Sequence, residues 1–198
     1  LFSFYHANGE GEHPVDKLLK DADLIKLLNK VDADLAETVR AGKCVHCKAK
    51  LHCDDYPRKP RGVGSWDKRY SFTCADCRKR HTPPSVRFLG RRVYAGIMVV
   101  LVAAMMHGPN AQRIGALHKA LGIDLRTLKR WRQWWLEVFV KTPLWKAERS
   151  RFIPVLDELL MPYGLVESFH AKGREGLIKL MCFLAPITTN PGEKRCAM

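Results

Sequence analysis

Between Pro14 and Arg40 the apolar residues Leu18, Leu19, Leu24, Leu27, Leu28, Val31, Leu35 and Val39 recur at steps of three and four, which gathers them on one face of a helix. Asp21 and Asp32 stand where helix starts can be capped, and Ala41-Gly42 where a helix can stop. The spacing predicts two or three short helices; Leu1 to Glu12 before them shows no period. The helical period then disappears. From Lys43 to Pro84 the chain is rich in Cys, Pro, Gly and Arg, and only Tyr70-Ser71-Phe72-Thr73 alternates in the manner of a strand.

Beyond Pro83-Pro84 the longest apolar run, Val93 to Met106, holds 14 residues. A membrane span needs about 20, so the run predicts a buried central helix at about Arg91 to His107, and no membrane partner is expected. After Gly108-Pro109-Asn110 the pattern predicts a helical pair, Ala111 to Leu121 and Leu125 to Val140, separated by Gly122-Ile123-Asp124 and limited by Pro143. One helix near Arg151 to Leu160, a break at Pro162-Tyr163-Gly164, and a helix near Glu175 to Leu184 precede a polar tail.

The non-helical segment carries the clearest chemistry. Cys44-Val-His-Cys47 and Cys74-Ala-Asp-Cys77 are Cys-x-x-Cys pairs with 26 residues between them. Each pair can turn tightly enough to point both sulfurs at one ion, and two such turns complete a tetrahedron of thiolates. A loop containing Pro57, Pro60, Gly62 and Gly64 accommodates a spacer longer than is usual for this pattern. Cys44, Cys47, Cys74 and Cys77 are therefore expected to hold structural Zn2+. His46, His52, Cys53 and His81 are the alternative ligands close in sequence, and Cys182 and Cys196 lie far away. Seven cysteines make an odd number, and paired motifs in a reducing compartment speak for metal over disulfides. The expected fold is mainly α with a small β zinc ribbon, and a helix-turn-helix in the C-terminal half. Its expected divisions are 1–42 (helical), 43–84 (ribbon), 85–145 (central helix and helix-turn-helix) and 146–198 (C-terminal helices and tail).

Charge sharpens the functional expectation. In 198 residues, 34 Lys and Arg face 20 Asp and Glu, a formal charge of +14, and such an excess favours a polyanionic partner. Eleven of the cations fall between Tyr56 and Arg92, among them Arg58, Lys59, Arg61, Arg78, Lys79, Arg80, Arg87 and Arg91, against only Asp67 and Asp76. Cations at that density suit phosphate contacts. The interleaved Tyr56, Trp66, Tyr70 and Phe72 can either stack on bases or form the ribbon's core, and the need of so small a module for apolar area favours the core.

Arg113 to Trp131 has helix-turn-helix spacing. Ile114, Leu117 and Leu121 share a face, Gly122 suits the turn, and Asp124 can cap the second helix. With Leu128, Trp131 and Trp135 inward, Arg126, Lys129, Arg130 and Gln133 form an outward stripe, with Thr127 near its start. These are donors for base edges and phosphates in a major groove. His118 occupies a first-helix position where a small residue is usual, and is expected to crowd the crossing.

These motifs resemble the zinc-ribbon and helix-turn-helix portions of proteins encoded by bacterial insertion sequences and transposons. The resemblance rests on Cys44-x-x-Cys47, on Tyr70 to Phe88 with its Cys-Ala-Asp-Cys-Arg-Lys-Arg-His core, and on Leu121 to Trp134, segments spread over a span, Cys44 to Trp134, that covers about half of the chain. It implies a transposase-like DNA-binding protein without the catalytic domain, cytoplasmic and associated with the bacterial nucleoid. Nothing at the N-terminus has the order of a signal peptide. A three-carboxylate transposase needs a mixed α/β domain that gathers acids on metal ions; here Asp157, Glu158, Glu167 and Glu175 read as surface residues, and no enzymatic activity is expected. The partner is expected to be nucleic acid, duplex DNA first. The rival expectation is a zinc-ribbon subunit of an RNA-guided or other larger nucleoprotein complex, and a third is a small nuclease using the C-terminal acids.

Overall fold

The computed structural model describes residues 14–60, 63, 68–89, 94–106, 111–171 and 173–189. It is mainly helical, with a small antiparallel sheet bearing the four-cysteine cluster and most of the helices in the C-terminal half. The described residues begin with α1 (Pro14–Lys20) and α2 (Ala22–Ala41). Asp21 separates them: its side chain accepts hydrogen bonds from the backbone N–H groups of Asp23 and Leu24, both at 3.1 Å, and so caps α2. Arg174, far along the chain, closes on the same end with ion pairs of 2.6 Å to Asp21 and 3.2 Å to Asp23. Beyond the ribbon come α3 (Gly96–Met105), α4 (Ala111–Leu121) and α5 (Leu125–Gln133), then α6 (Pro143–Glu148), α7 (Tyr163–Ser168) and α8 (Arg174–Leu184).

Every residue of α3 is buried, as its all-round apolar sequence requires, and α1, α5, α7 and α8 pack around it. The N–H of Gly96 donates to the Arg87 carbonyl at 2.7 Å. A Cβ there would lie 2.9 Å from Met181 Cε and 3.1 Å from the Arg87 oxygen, so glycine permits the approach. Aromatic rings follow one another through the C-terminal half. Trp135 meets Phe139 at 4.8 Å between centroids, Phe139 meets Trp145 at 5.6 Å, Trp145 meets Phe152 at 5.7 Å, and Phe152 meets Phe183 at 5.8 Å, all within the usual range for such pairs.

Four helical expectations are corrected. Asp32 caps no helix: it lies inside α2, fully buried, and is the acceptor of a polar cluster. The stretch expected to be helical near Arg151 to Leu160 is instead a 3-10 turn at Arg149–Arg151, a bend and irregular chain over 152–157, and a second 3-10 turn at Glu158–Leu160; Pro154 sits inside it, where a helix would lose an N–H bond and clash. The helix after Leu125 does not stay α to Val140. It passes into a π turn at Trp134–Val138 and a 3-10 turn at Phe139–Lys141, which turns Trp134, Trp135 and Phe139 all into the core. The expected break at Pro162-Tyr163-Gly164 is the start of α7.

Two apolar cores share α2. Its Leu24 and Leu28 belong to the main core, while Ala36, with Val39 packed against it, belongs to a smaller core made with Cys44, Leu51, Phe72 and Cys74. Between them Asp32 is paired with buried Arg87. One carboxylate oxygen accepts from Ser85 Oγ at 2.6 Å and Arg87 Nε at 2.7 Å, the other from the Val86 N–H at 2.6 Å. Ser85 Oγ in turn accepts from the N–H groups of Arg87 and Phe88, while the Arg87 guanidinium also donates to Asn29 and to the Lys68 carbonyl. The polar atoms of a buried charge pair are thereby matched, the condition on which such a pair is tolerated.

Candidate metal centre and basic surface

The small β region is built on the two cysteine turns. β1 (Leu51–Cys53) pairs antiparallel with β4 (Phe72–Cys74), which pairs antiparallel with β5 (Arg80–His81); β2 (Tyr56–Pro57) and β3 (Lys68–Arg69) form a separate hairpin. The turns repeat one geometry. Cys44 N–H donates to the Ala49 carbonyl at 2.9 Å and Cys74 N–H to the Lys79 carbonyl at 3.0 Å. In both, the residue after the second cysteine has a positive φ, 64° at Lys48 and 57° at Arg78.

These turns bring the four predicted sulfurs together. Sγ of Cys44 lies 3.5 Å from that of Cys77, and Sγ of Cys47 lies 3.3 Å from that of Cys74; all four ligand atoms lie within 4.8 Å of one another. A disulfide would need about 2.05 Å, whereas a tetrahedron of sulfurs about 2.3 Å from a central ion has edges of about 3.8 Å. The cluster can hold one metal ion and is consistent with a zinc ribbon. Among the described residues it is the one group of ligating side chains so arranged. His46 and His81 face each other with ring centroids 5.9 Å apart, outside that set, and His52 and Cys53 are exposed on β1.

The thiols do not ionise alike. Burial opposes ionisation of Cys44, but backbone N–H groups of Cys47 and His46 overcome it and bring the thiol down to about 5. Cys74 is also lowered, its burial outweighed by N–H groups of Cys77 and Asp76 and by the Cys47 thiol. Cys77, favoured by the Lys79 N–H but buried among the other sulfurs, is pushed up to about 12. A cation entering the cluster would displace the protons that remain.

The predicted basic residues divide into distinct environments. Arg87 is corrected: only 3% exposed and paired with Asp32, it is a structural cation with no surface to offer. Arg58 is half-buried with its guanidinium 5.3 Å from the Phe88 ring. Arg80 is exposed but ion-paired with Asp54, whose carboxyl is held below the usual range by the Thr73 hydroxyl and, against some burial, by Arg80. Lys59, Arg78 and Lys79 are exposed. Arg61, Trp66, Arg91 and Arg92 lie outside the described residues, as does Cys196. The aromatics lean to the core: Phe72 is buried, Tyr56 lies beneath Arg80 at 5.8 Å, and Tyr70 packs on the ribbon core beneath Arg87 at 5.4 Å.

In the helical half, α4 and α5 are joined by Gly122-Ile123-Asp124. Gly122 has φ +62°, a conformation that glycine takes without strain, and Asp124 caps α5 by accepting from the N–H groups of Arg126 and Thr127 at 2.9 and 3.2 Å. His118 does not crowd the crossing. Its Nδ1 donates to the Ile123 carbonyl at 2.7 Å and so ties the turn. Leu128, Trp131 and Trp135 are buried, and Arg126, Lys129 and Gln133 are exposed; Gln133 Nε2 donates to Glu137 at 3.0 Å. Thr127 and Arg130 are half-buried, and Arg130 Nε has no acceptor among the described residues.

The C-terminal acids are dispersed in local roles. Asp157 caps its 3-10 turn through the Leu159 N–H, Glu158 accepts from Trp145 Nε1 at 2.7 Å, and Glu175 pairs with Lys179. Cys182 is exposed on α8. Among the described residues no helix is long and apolar enough to cross a membrane. No protein-family model, curated protein or solved structure matches the chain.

Proposed function

We propose that this is a zinc-stabilised, non-catalytic protein that binds duplex DNA with sequence preference, accessory to transposition or regulating a mobile element. The observation that carries the reading is the α4–α5 unit, capped by Asp124 and tied by His118, whose inner residues anchor it while Arg126 and Lys129 face outward. A short helix held this way enters a major groove by its N-terminal turns, with its cations in reach of base edges and phosphates. Zinc suits the four thiolates: the soft donors select for it, and a closed four-sulfur shell leaves no position for water, so the ion holds the ribbon together and does no chemistry. The mobile-element setting is supported by the resemblance of the motifs alone.

Selection from a random duplex pool, followed by binding of the enriched sequence, tests the reading. An enriched sequence is expected, and Arg126→Ala or Arg130→Ala is expected to cost about 1–3 kcal/mol on it and far less on random duplex. A pool without enrichment, or structured RNA bound more tightly than any duplex, would overturn it in favour of a ribonucleoprotein subunit.

A further inference from the structure

Resting on the DNA-binding reading above, we infer that the ribbon grips the phosphate backbone of the duplex with its metal-bearing end, through Lys43, Lys48, Lys50, Arg78 and Lys79. All five are exposed, and none is in an ion pair among the described residues. Most of the ribbon's other described cations are committed elsewhere: Lys68 to Asp55, Arg80 to Asp54, Arg58 against Phe88, Arg69 to the Pro83 carbonyl and Arg87 to Asp32, while Lys59 is exposed on the loop after β2, away from the cysteine turns in sequence. The sulfur contacts of 3.3 and 3.5 Å draw the two cysteine turns together. Cations that flank Cys44, Cys47 and Cys77 in sequence are thereby gathered at one end of the module, where no stretch of sequence would place them.

Backbone conformation points the same way. Lys43, Lys48 and Arg78 have φ of 59°, 64° and 57°, positions where glycine would be free of strain. Long basic side chains stand there instead. A rival role for them is to offset the metal centre, since four thiolates around a divalent ion make a doubly negative group. The five cations exceed that charge and the neighbouring Asp76 carboxylate combined, so the end of the ribbon keeps a positive surplus. Phosphates that meet such a surplus release condensed counterions, and the affinity then falls steeply with salt.

The test is the full-length double variant Lys48→Gly/Arg78→Gly, in which the charge is removed and the backbone relaxed together. Binding to one fixed duplex is followed by fluorescence anisotropy from 50 to 200 mM KCl, beside zinc content and thermal midpoint. The expected result is a salt slope shallower by about two, with zinc retained and the midpoint unchanged or raised. A charge-matched Lys141→Gln/Lys146→Gln variant in the helical half should keep the wild-type slope. An unchanged slope in the glycine variant, or an equal change in the control, would overturn the inference while leaving the DNA-binding reading in place. Wild-type protein that binds no duplex would sink the underlying reading first. Should the glycine variant lose zinc, Lys48→Asn/Arg78→Asn repeats the measurement with another residue that accepts positive φ; zinc loss there too would assign the cations to the metal centre and overturn the inference.

Discussion

Removing the carboxylate of Asp32 should be among the most damaging single changes in the protein. Asp32→Ala leaves Arg87, 3% exposed, as a buried charge with its counter-ion gone, and leaves the Val86 N–H and the Ser85 hydroxyl without the acceptor they now reach at 2.6 Å. Breaking a buried pair from one side costs about 3–5 kcal/mol, out of a total stability of about 5–15 kcal/mol for a domain. In urea, with a slope of about 2 kcal/mol/M, a loss of about 4 kcal/mol moves the unfolding midpoint by about 2 M. Circular dichroism at 222 nm against urea measures it. Asp32→Leu combined with Arg87→Met should recover at least about 1 kcal/mol of the loss, because no lone charge then remains. A single variant that loses less than about 1 kcal/mol, or a double variant no better than the single, would refute the claim that the two side chains depend on each other.

Cys74→Ser should lose bound zinc and expose the ribbon core around Phe72, because a structural ion supplies folding free energy that so small a core cannot replace; metal analysis and hydrogen exchange over residues 43–84 read both. At Gly176 an added Cβ would collide with the backbone carbonyls of Phe169 and His170, so Gly176→Ala should lower stability by about 1–3 kcal/mol in chemical denaturation. Gly122, at φ +62° with open space around it, should respond to conformation alone: Gly122→Val should cost about 1–2 kcal/mol and Gly122→Asn clearly less in the same assay. Incubated with supercoiled plasmid and Mg2+, the full chain should leave the plasmid unnicked, and cleavage abolished by Glu158→Ala would contradict the non-catalytic reading.

What the sequence revealed depended on how locally each feature is encoded. The cysteine turns were legible because a two-residue spacing by itself fixes where both sulfurs point, and the fully apolar α3 could only be a core helix. The α4–α5 turn was legible from Gly122 and Asp124, whose chemistry is specific to a turn and a cap. Asp32 was not: a carboxylate within a helical period reads as a cap or a surface group, and its partner Arg87 lies 55 residues on. For the same reason Arg87 read as one more phosphate-binding cation. The 151–160 stretch misled because its apolar residues fit a helical period although several point outward, with Ile153 95% exposed. Lys43, Lys48 and Lys50 form no pattern with Arg78 and Lys79 along the sequence, because only the folded sulfur cluster brings their turns together.

The sharing of α2 between two cores bears on how the chain can be cut. At 20 residues and about 30 Å, this helix has its first turns in the main core and its last turns beneath the cysteine cluster, through Ala36 and Val39. A ribbon fragment begun at Lys43, where the sequence suggests a boundary, would leave behind the apolar floor on which Leu51 and Phe72 rest. A helical fragment that kept α2 would carry a hydrophobic patch with nothing over it. The excisable unit is thus larger than the metal motif, and a graft of the ribbon onto another protein should begin no later than Asp32 and bring Ser85 to Phe88 with it.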